Sequence, residues 1–410
     1  MNYKIYPPEE LIETEITLPL SKSISNRALI LDALTPGSPA HPAVAKCDDT
    51  DVMIGALADP TADRIDIGAA GTAMRFLTAL MAATPERTVT IDGTERMRQR
   101  PIGPLVDALR SLGADIDYAG EEGFPPLAIC GRRLHGGAIA IDGSVSSQYI
   151  SALLMIAPVM EQGLTLTLEG DVTSRPYIDM TVGMMRERGA EVDTTPTSVR
   201  VAPGTYTPAS ESVEADWSAA SYWFEIAALS SGFITLRGLR PDSRQGDAGI
   251  ARLMEVTGLT HEWQEDGTLE LLPTPDPGAR LIADLSGTPD IAQTLAVTCC
   301  LLSIPFQFGG LGNLRIKETD RLQALADELL KMGYPIVIED DSVIFWDGRR
   351  YPVYEAPAVD TYCDHRMAMA FAPAALYMPG LQINDIEVVT KSYPGFWDDL
   401  RHAGFTIEEA

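Results

Sequence analysis

Clusters of cations and hydroxyls at the start of predicted helices are the feature of this sequence best suited to chemistry. In SKSISNR (21–27), Lys22 and Arg27 alternate with serines, and apolar residues follow at helical spacing. Because a helix start combines unpaired backbone N–H groups with the positive end of a dipole, this stretch could hold a phosphate or a carboxylate. An ordinary serine-capped helix has the same pattern, so by itself the stretch leaves both interpretations open.

Five further segments have a similar design, a short polar or glycine-containing lead into an apolar helix, in most cases with a basic residue. They are GAAGTAMR (68–75), VSSQYISALL (145–154), VTSRPYID (172–179), IKETDRLQAL (316–325) and DHRMAMAF (364–371). We predict that each begins a helix. Small-residue turns and capping residues would explain any one of them equally well.

Carboxylates accompany two of the predicted helix starts. Lys317 and Arg321 are spaced i, i+4 and are predicted on one helical face with Glu318 beside them, although a solvated ion-paired face has the same spacing. Asp290, after Pro289, is predicted in the first turn of a helix, where an acid ordinarily just complements the dipole.

The composition limits the classes of ligand. The chain has 410 residues, 45% of them hydrophobic, and a formal net charge of −27. This charge argues against a nucleic-acid binder, which needs basic patches to displace counterions from phosphates. Small anions can still bind where cations concentrate, and the loop GTERMRQRPIG (93–103) supplies Arg96, Arg98 and Arg100 against one glutamate.

Other chemistries lack their sequence signals. The five cysteines form no C-x-x-C pair and have no histidine at zinc spacing, so we expect no disulfide framework, no metal and no cofactor. Phosphate-binding P-loop, G-x-S-x-G, H-E-x-x-H and dinucleotide-binding motifs are absent from the sequence. The longest apolar run (295–306) is too short to span a bilayer, and the N-terminus has no signal pattern. We therefore expect no membrane partner and a cytoplasmic location.

A helix that ends at a glycine and leads into a strand recurs along the chain. The glycines are Gly113, Gly189, Gly258, Gly333 and Gly404, which by subtraction are 76, 69, 75 and 71 residues apart. After four of them the strand turns into a second strand, LAIC, VRVA, LELL or VIFW. The period predicts six α/β units, the first of them shortened between residues 49 and 68, with a mid-chain break at 202–216.

Taken together and in order, these motifs resemble the EPSP synthases (3-phosphoshikimate 1-carboxyvinyltransferases), from about Leu18 to Lys391 and on to the C-terminus. The resemblance implies a two-domain inside-out α/β barrel of six βαβαββ units, three per domain, with the active site in the cleft between the domains. It places domain I at residues 1–20 plus 215–410 and domain II at residues 21–214. It also implies a monomer without cofactor or metal.

The resemblance further implies an enolpyruvyl transfer from phosphoenolpyruvate to the 5-hydroxyl of shikimate 3-phosphate. The residues expected to bind shikimate 3-phosphate are Lys22, Ser23, Arg27, Ser146, Ser147, Gln148, Ser174, Tyr177, Asp290, Asn313 and Lys317. Those expected to bind phosphoenolpyruvate are Lys22, Gly71, Arg100, Gln148, Arg321, Arg366 and Lys391. Proton transfer is expected from Asp290 and Glu318, with Lys22 and Lys391 assisting and His365 as a weaker participant.

Two positions depart from the family pattern. Ala69 stands where the family usually has asparagine in N-A-G-T, which removes an amide donor, and Phe76 replaces a proline at what we predict to be the helix start. Both changes bear on the shape of the phosphoenolpyruvate pocket and on the response to glyphosate, the known inhibitor of the family. Gly71 is retained, which would favour sensitivity.

Two alternative functions remain at this point. The related UDP-N-acetylglucosamine enolpyruvyl transferases share fold and donor, but they carry a reactive cysteine in the loop that corresponds to residues 95–100, where this chain has none. A non-catalytic anion-binding protein on the same fold would not need Asp290, Glu318, Lys317 and Lys391 together.

Overall fold

The computed structural model describes residues 1–38, 43–209, 212–274 and 277–410. Residues 210 and 211 of the predicted mid-chain break lie outside the described residues. Contacts divide the chain into two compact units, and each has a hydrophobic core of its own. The two-segment unit combines Met1–Leu20 with Glu214–Ala410, and the inserted unit is Ser21–Val213. That either unit is an independently folding domain stays a prediction.

The two-segment unit begins with strands β1 (Tyr3–Tyr6) and β2 (Glu13–Thr17). The inserted unit then contains α1 (Lys22–Ala33), α2 (Asp48–Ala58), β3 (Arg64–Asp66), α3 (Gly71–Ala83), β4 (Thr88–Asp92), α4 (Glu95–Arg98), α5 (Gly103–Ser111), β5 (Asp115–Tyr118), β6 (Leu127–Cys130), β7 (Gly137–Asp142), α6 (Ser147–Ile156), β8 (Leu164–Glu169), α7 (Arg175–Glu187), β9 (Val192–Thr194) and β10 (Ser198–Val201).

The chain then returns to the two-segment unit. Its elements are α8 (Trp217–Ser230), β11 (Phe233–Arg237), α9 (Ile250–Leu253), β12 (Leu259–Trp263), β13 (Leu269–Pro273), β14 (Leu281–Asp284), α10 (Ala292–Leu301), β15 (Phe306–Gly309), α11 (Arg321–Lys331), β16 (Val337–Glu339), β17 (Val343–Trp346), β18 (Ala358–Val359), α12 (His365–Phe371), β19 (Leu381–Ile383), α13 (Phe396–His402) and β20 (Thr406–Glu409). Short 3₁₀ turns precede α10 (Pro289–Ile291) and α11 (Gly312–Ile316).

The described residues form five four-stranded sheets, and all five have one topology. Their strand orders are β3-β4-β6-β5 and β7-β8-β10-β9 in the inserted unit, and β2-β11-β13-β12, β14-β15-β17-β16 and β18-β19-β1-β20 in the two-segment unit. In each sheet the first two strands pair in parallel and the other pairings are antiparallel. The repeat predicted from the glycine spacing is therefore a repeat of topology.

The first and last repeats are the irregular ones. The described residues of the first repeat form α1 and α2 and no sheet, which agrees with the shortening expected there. In the last sheet, β1 from the N-terminus pairs with β20 and takes the position that the last strand of the repeat has in the other sheets. Strand β2 is the first strand of the sheet that contains β11. The first residues of the chain thus complete two sheets whose other strands lie more than 200 residues away in sequence.

The glycines that set the period all adopt left-handed backbone. Gly113 has φ 102°, Gly189 81°, Gly258 77°, Gly333 88° and Gly404 95°, a region that residues with a Cβ rarely adopt. Four of them follow α-helices, but Gly258 ends a 3₁₀ turn (Met254–Thr257) that continues the short helix α9. The last turn of the helix predicted before Gly258 is therefore 3₁₀ and not α-helical.

The most apolar helices form the centre of each unit. All ten residues of α10 are buried, and α10 packs on α8 and α12. In the inserted unit α3 packs on α6, and α6 packs on α7. Because these helices are apolar on nearly every side, they lie inside while the sheets present alternating polar residues outward, as in β8. This is the inside-out α/β arrangement that the family resemblance implied.

Glu225 is a buried carboxyl in this core, on α8. Burial raises its pKa well above the ordinary value of 4.5. The neighbouring Thr298 hydroxyl lowers the pKa only in part, because it donates to the Thr294 carbonyl oxygen at 2.7 Å. Because the pKa of Glu225 is raised in the folded state, its contribution to the free energy of unfolding is largest below pH 4.5. This contribution is lost as the pH rises through the folded-state pKa.

We expect Glu225→Gln to remove this pH dependence. Between pH 5 and pH 8 the wild type should lose up to about 1.4 kcal/mol per pH unit through this group, and the variant should lose less. Thermal unfolding at both pH values measures the difference. Glu262→Gln, an exposed position on β12, serves as the matched control. Equal shifts in Tm for Glu225→Gln and the wild type would contradict the expectation.

Candidate active site

The six predicted helix starts are confirmed: α1, α3, α6, α7, α11 and α12 begin within them. At four of these starts the side chain of the N-cap residue accepts a hydrogen bond from a backbone N–H group. These N-cap residues are Ser21, Ser146, Asp320 and Asp364. One detail is wrong. Helix α11 begins only at Arg321, so Lys317 and Glu318 lie in the bend between the 3₁₀ turn Gly312–Ile316 and α11, and they share no helical face with Arg321.

Arg27 joins three helices of the inserted unit. Its Nε donates to Thr181 Oγ1 (2.7 Å), and its Nη2 donates to Ser151 Oγ (3.1 Å) and to the Tyr177 carbonyl oxygen (3.4 Å). Its Nη1 donates to the Ser23 carbonyl oxygen (2.9 Å), and burial lowers the pKa of Arg27 to about 10. Since an arginine has five N–H donors, at most one remains for a substrate. Its predicted contact with shikimate 3-phosphate stays a prediction.

Lys22, the first residue of α1, lies 3.2 Å from Asp49 Oδ2 on α2. Asp49 is buried, so the pair takes a carboxylate out of water beside the cation expected to reach both substrates. The sequence interpretation missed Asp49. Its only signal is the acidic run Asp48–Asp51 at the start of a helix, which resembles ordinary dipole compensation.

The start of α3 faces Arg100. A Cβ on Gly71 would lie 2.7 Å from Arg100 Nη1 and 2.9 Å from Nη2, so only glycine allows the guanidinium this close to the helix start. Arg75, one turn along α3, donates to the Gly71 carbonyl oxygen (3.1 Å) and to the Pro101 carbonyl oxygen (2.9 Å). These bonds hold the segment that carries Arg100. Arg98 of the same loop, by contrast, forms two hydrogen bonds with Asp92.

The remaining candidates of the inserted unit lie at the starts of α6 and α7. Gln148 Nε2 donates to Thr72 Oγ1 (3.1 Å), which links the starts of α6 and α3. Ser146 caps α6, and Ser147 is its first residue. Ser174 precedes α7 with φ 54°, and Tyr177 lies in the first turn of that helix.

The structure changes the interpretation of Phe76. Helix α3 begins at Gly71, so residue 76 lies in its second turn and not at its start. The ring is fully buried, with its centre 5.3 Å from Arg27 Cζ. Phe76 therefore packs beneath the Arg27 guanidinium as a cation–π partner.

In the two-segment unit, Arg321 connects three carboxylates. Its Nε lies 2.6 Å from Asp364 Oδ2, its Nη1 lies 2.9 Å from Asp290 Oδ1, and its Nη2 lies 3.0 Å from Glu318 Oε2. The side chain is 2% exposed. Although burial disfavours its charge, the three carboxylates outweigh burial and raise the pKa of Arg321, so it is a permanent cation.

Asp290 receives two further cations. Arg366 Nη2 donates to Asp290 Oδ2 (2.9 Å), and Lys317 Nζ lies 3.9 Å from Asp290 Oδ1. Burial by itself would raise the pKa of Asp290, but the nearby Arg366, Lys317 and Arg321 outweigh it and hold the pKa well below the usual range. In the structure as it stands, Asp290 is ionised and weakly basic.

Lys391 completes this cluster, since its Nζ lies 3.5 Å from Glu318 Oε1. His365 is buried with its Nδ1 3.6 Å from Asp364 Oδ1. Asn313 lies in the 3₁₀ turn that leads to Lys317. The structure thus brings together the candidates Asp290, Lys317, Glu318, Arg321, Arg366 and Lys391, and it adds Asp364, the N-cap of α12, which was not among the predicted site residues.

The described parts of the chain show neither a metal site nor a membrane-spanning helix. Within those residues, no group of three or more histidines, cysteines, aspartates or glutamates is placed to hold a metal ion. Nor does any helix in the described ranges have the length and apolar character needed to cross a membrane.

A protein-family model described as EPSP synthase (3-phosphoshikimate 1-carboxyvinyltransferase) matches residues 54–400. The chain belongs to the EPSP synthase family. A 3-phosphoshikimate 1-carboxyvinyltransferase of Bacteroides fragilis is 52% identical over 410 residues, covering 100% of this chain and 99% of the relative. One of Photobacterium damsela is 36% identical over 421 residues, covering 96% and 97%.

Solved structures agree on the fold. An EPSP synthase structure from Acinetobacter baumannii superposes with a TM-score of 0.78 at 21% identity and covers 100% of both chains. This likeness confirms the predicted α/β architecture of the EPSP synthases.

Proposed function

We propose that this chain transfers the enolpyruvyl group of phosphoenolpyruvate to the 5-hydroxyl of shikimate 3-phosphate and releases phosphate, a step of aromatic amino acid biosynthesis. The observation that carries the proposal is the cluster around Arg321, in which four cations meet Asp290, Glu318 and Asp364. A surplus of cations suits two substrates that each carry a phosphate and a carboxylate.

Shikimate 3-phosphate is assigned to the inserted-unit residues Lys22, Ser23, Arg27, Ser146, Ser147, Gln148, Ser174 and Tyr177, and to Asp290, Asn313 and Lys317. Phosphoenolpyruvate is assigned to Lys22, Gly71, Arg100, Gln148, Arg321, Arg366 and Lys391. Helix starts support both assignments, because many of the assigned residues lie at the starts of α1, α3, α6 and α7, where the positive end of the helix dipole favours a bound anion.

The transfer needs a base, an acid and an anion site. The 5-hydroxyl oxygen forms a bond to C2 of phosphoenolpyruvate, its proton goes to the base, and C3 takes a proton from the acid. When the C2–O bond to phosphate breaks, C3 must lose a proton again, because the product keeps its carbon–carbon double bond. We assign the proton transfers to Asp290 and Glu318, with Lys22 and Lys391 assisting and His365 in a lesser part.

The low pKa of Asp290 is compatible with a base only if substrate changes its surroundings. Phosphate and carboxylate groups compete with Asp290 for Arg366 and Lys317, and each cation drawn away raises the proton affinity of Asp290. Substrate binding would thus switch Asp290 from an ion-pair partner to a base.

An assay of phosphate release tests the function directly. Phosphate should be released only when shikimate 3-phosphate and phosphoenolpyruvate are both present, and UDP-N-acetylglucosamine should not replace shikimate 3-phosphate. Release with the sugar nucleotide alone as acceptor would overturn the proposal. Two finer expectations, a monomer and a cytoplasmic location, stay predictions that sedimentation and cell fractionation can check.

A further inference from the structure

Asp247 is a buried carboxylate that none of the roles above uses. It lies in the 3₁₀ turn Gly246–Gly249 of the two-segment unit and is 2% exposed. Its Oδ1 accepts a hydrogen bond from Thr288 Oγ1 (2.7 Å), and its Oδ2 accepts one from Ser218 Oγ. Both oxygens of a buried acid are therefore satisfied by hydroxyl groups, which come from two other segments of the chain.

Both hydroxyl groups belong to neighbours of the proposed base. Thr288 stands two residues before Asp290, directly ahead of the 3₁₀ turn Pro289–Ile291. Ser218 Oγ accepts from Arg366 Nη2 (3.3 Å), and this same nitrogen donates to Asp290 Oδ2 (2.9 Å). A ring of contacts thus runs from Asp247 through Ser218 and Arg366 to Asp290, and back along the chain to Thr288.

Two hydroxyl donors and the nearby Arg366 favour the ionised form of Asp247. Ser218 uses its oxygen to accept from Arg366, so its own hydrogen is available to Asp247, and Thr288 also donates. Burial and the negative charge of Asp290 raise the pKa of Asp247, while Arg366 and the two hydroxyl groups lower it. By reciprocity, a negative Asp247 raises the proton affinity of Asp290.

We propose that Asp247 is a positioning residue, which holds Arg366 and Asp290 in their working arrangement through the hydroxyls of Ser218 and Thr288. It touches no substrate. The inference rests on the proposed role of Asp290 as a base. The charged groups that act on Asp290 are then Arg321, Arg366, Lys317, Glu318 and Asp247.

The test is Asp247→Asn, which keeps the shape of the side chain. An amide can accept only one of the two hydroxyl bonds, and it carries no charge. We expect kcat to fall about 10- to 100-fold, since a misplacement of a reacting group by about 1 Å can cost about 100-fold. KM for phosphoenolpyruvate should rise by a smaller factor than kcat falls, because Arg366 is among the residues assigned to that substrate.

The pH profile supplies a readout that lost stability would not move. Without the negative charge of Asp247, the acid limb of the kcat profile should shift to lower pH, because Asp290 then loses its proton more readily. Unchanged kcat, or a fall in kcat with an unshifted acid limb, overturns the proposal. Glu225→Gln is the matched control, as it changes another buried carboxyl of the same unit, on the helix that carries Ser218.

Asp290→Asn, measured in parallel, separates the two levels of inference. If Asp290→Asn is inactive and Asp247→Asn behaves as the wild type, only the positioning role fails. If Asp290→Asn itself turns over normally, the proposed base fails, whatever Asp247→Asn does. Ser218→Ala and Thr288→Val each remove one arm of the ring, and each should reproduce part of the fall in kcat.

Discussion

Replacing Asp290 with asparagine is expected to lower kcat about 10²- to 10⁴-fold, the usual contribution of a general base. Asparagine keeps the size of the side chain and one oxygen that can accept from Arg321 (2.9 Å in the wild type) or Arg366 (2.9 Å). It cannot take the proton of the 5-hydroxyl group. Steady-state kinetics of phosphate release with both substrates varied would measure kcat and each KM separately.

The matched control for this variant is Asp399→Asn. Asp399 is a partly buried carboxylate of the same unit, bonded to the Tyr393 hydroxyl at 2.6 Å and assigned no part in the reaction. Its replacement should change Tm and leave kcat near the wild-type value. Near-normal turnover with unchanged substrate affinity in Asp290→Asn would show that another group, with Glu318 the first candidate, removes the proton.

Arg321→Lys is expected to have the largest combined effect on stability and activity. Lysine is a point charge on a flexible stem, and it cannot reproduce the planar fork that holds Asp364, Asp290 and Glu318 at once. At least one buried carboxylate would lose its partner, at a cost of about 3–5 kcal/mol. Thermal and denaturant unfolding measure this loss, and kcat/KM for phosphoenolpyruvate should fall with it.

Arg315→Lys provides a control in the same unit. Arg315 also bonds two carboxylates, Asp320 and Asp341 at 2.6 Å each, but it is 25% exposed and Asp341 is 88% exposed. Exposed pairs contribute at most about 1 kcal/mol, so this variant should unfold almost as the wild type does. If Arg321→Lys unfolded at the same temperature and denaturant concentration as Arg315→Lys, the three carboxylates would not depend on Arg321 for their burial.

Much of the fold was predictable because it follows from local rules. A glycine that ends a helix in left-handed backbone reports its conformation through its residue type, so five such glycines revealed the repeat. Alternation of apolar residues placed strands such as β6 and β17 correctly. The apolar run 295–306 was too short to span a membrane, and its first part lies in the buried helix α10.

The site was predictable only in part. Polar or glycine-containing leads into apolar helices are local signals, and they located all six helix starts correctly. The pairings of charged side chains are not local. Nothing in the sequence near Lys22 indicates that Asp49 is its partner, and nothing near Arg366 indicates Ser218.

By itself the sequence determined the repeat, the helix starts and the membership in a family, because these depend on spacing along the chain. Only the tertiary structure decided that Arg321 is an internal partner of three acids, that Phe76 packs beneath Arg27, and that Asp247 reaches the surroundings of Asp290 through two hydroxyl groups. The physical reason is that the energy of an ion pair or a buried hydrogen bond depends on distance in space and on removal from water. Asp247 and Thr288, 41 positions apart, and Arg366 and Ser218, 148 positions apart, acquire both only when the chain folds.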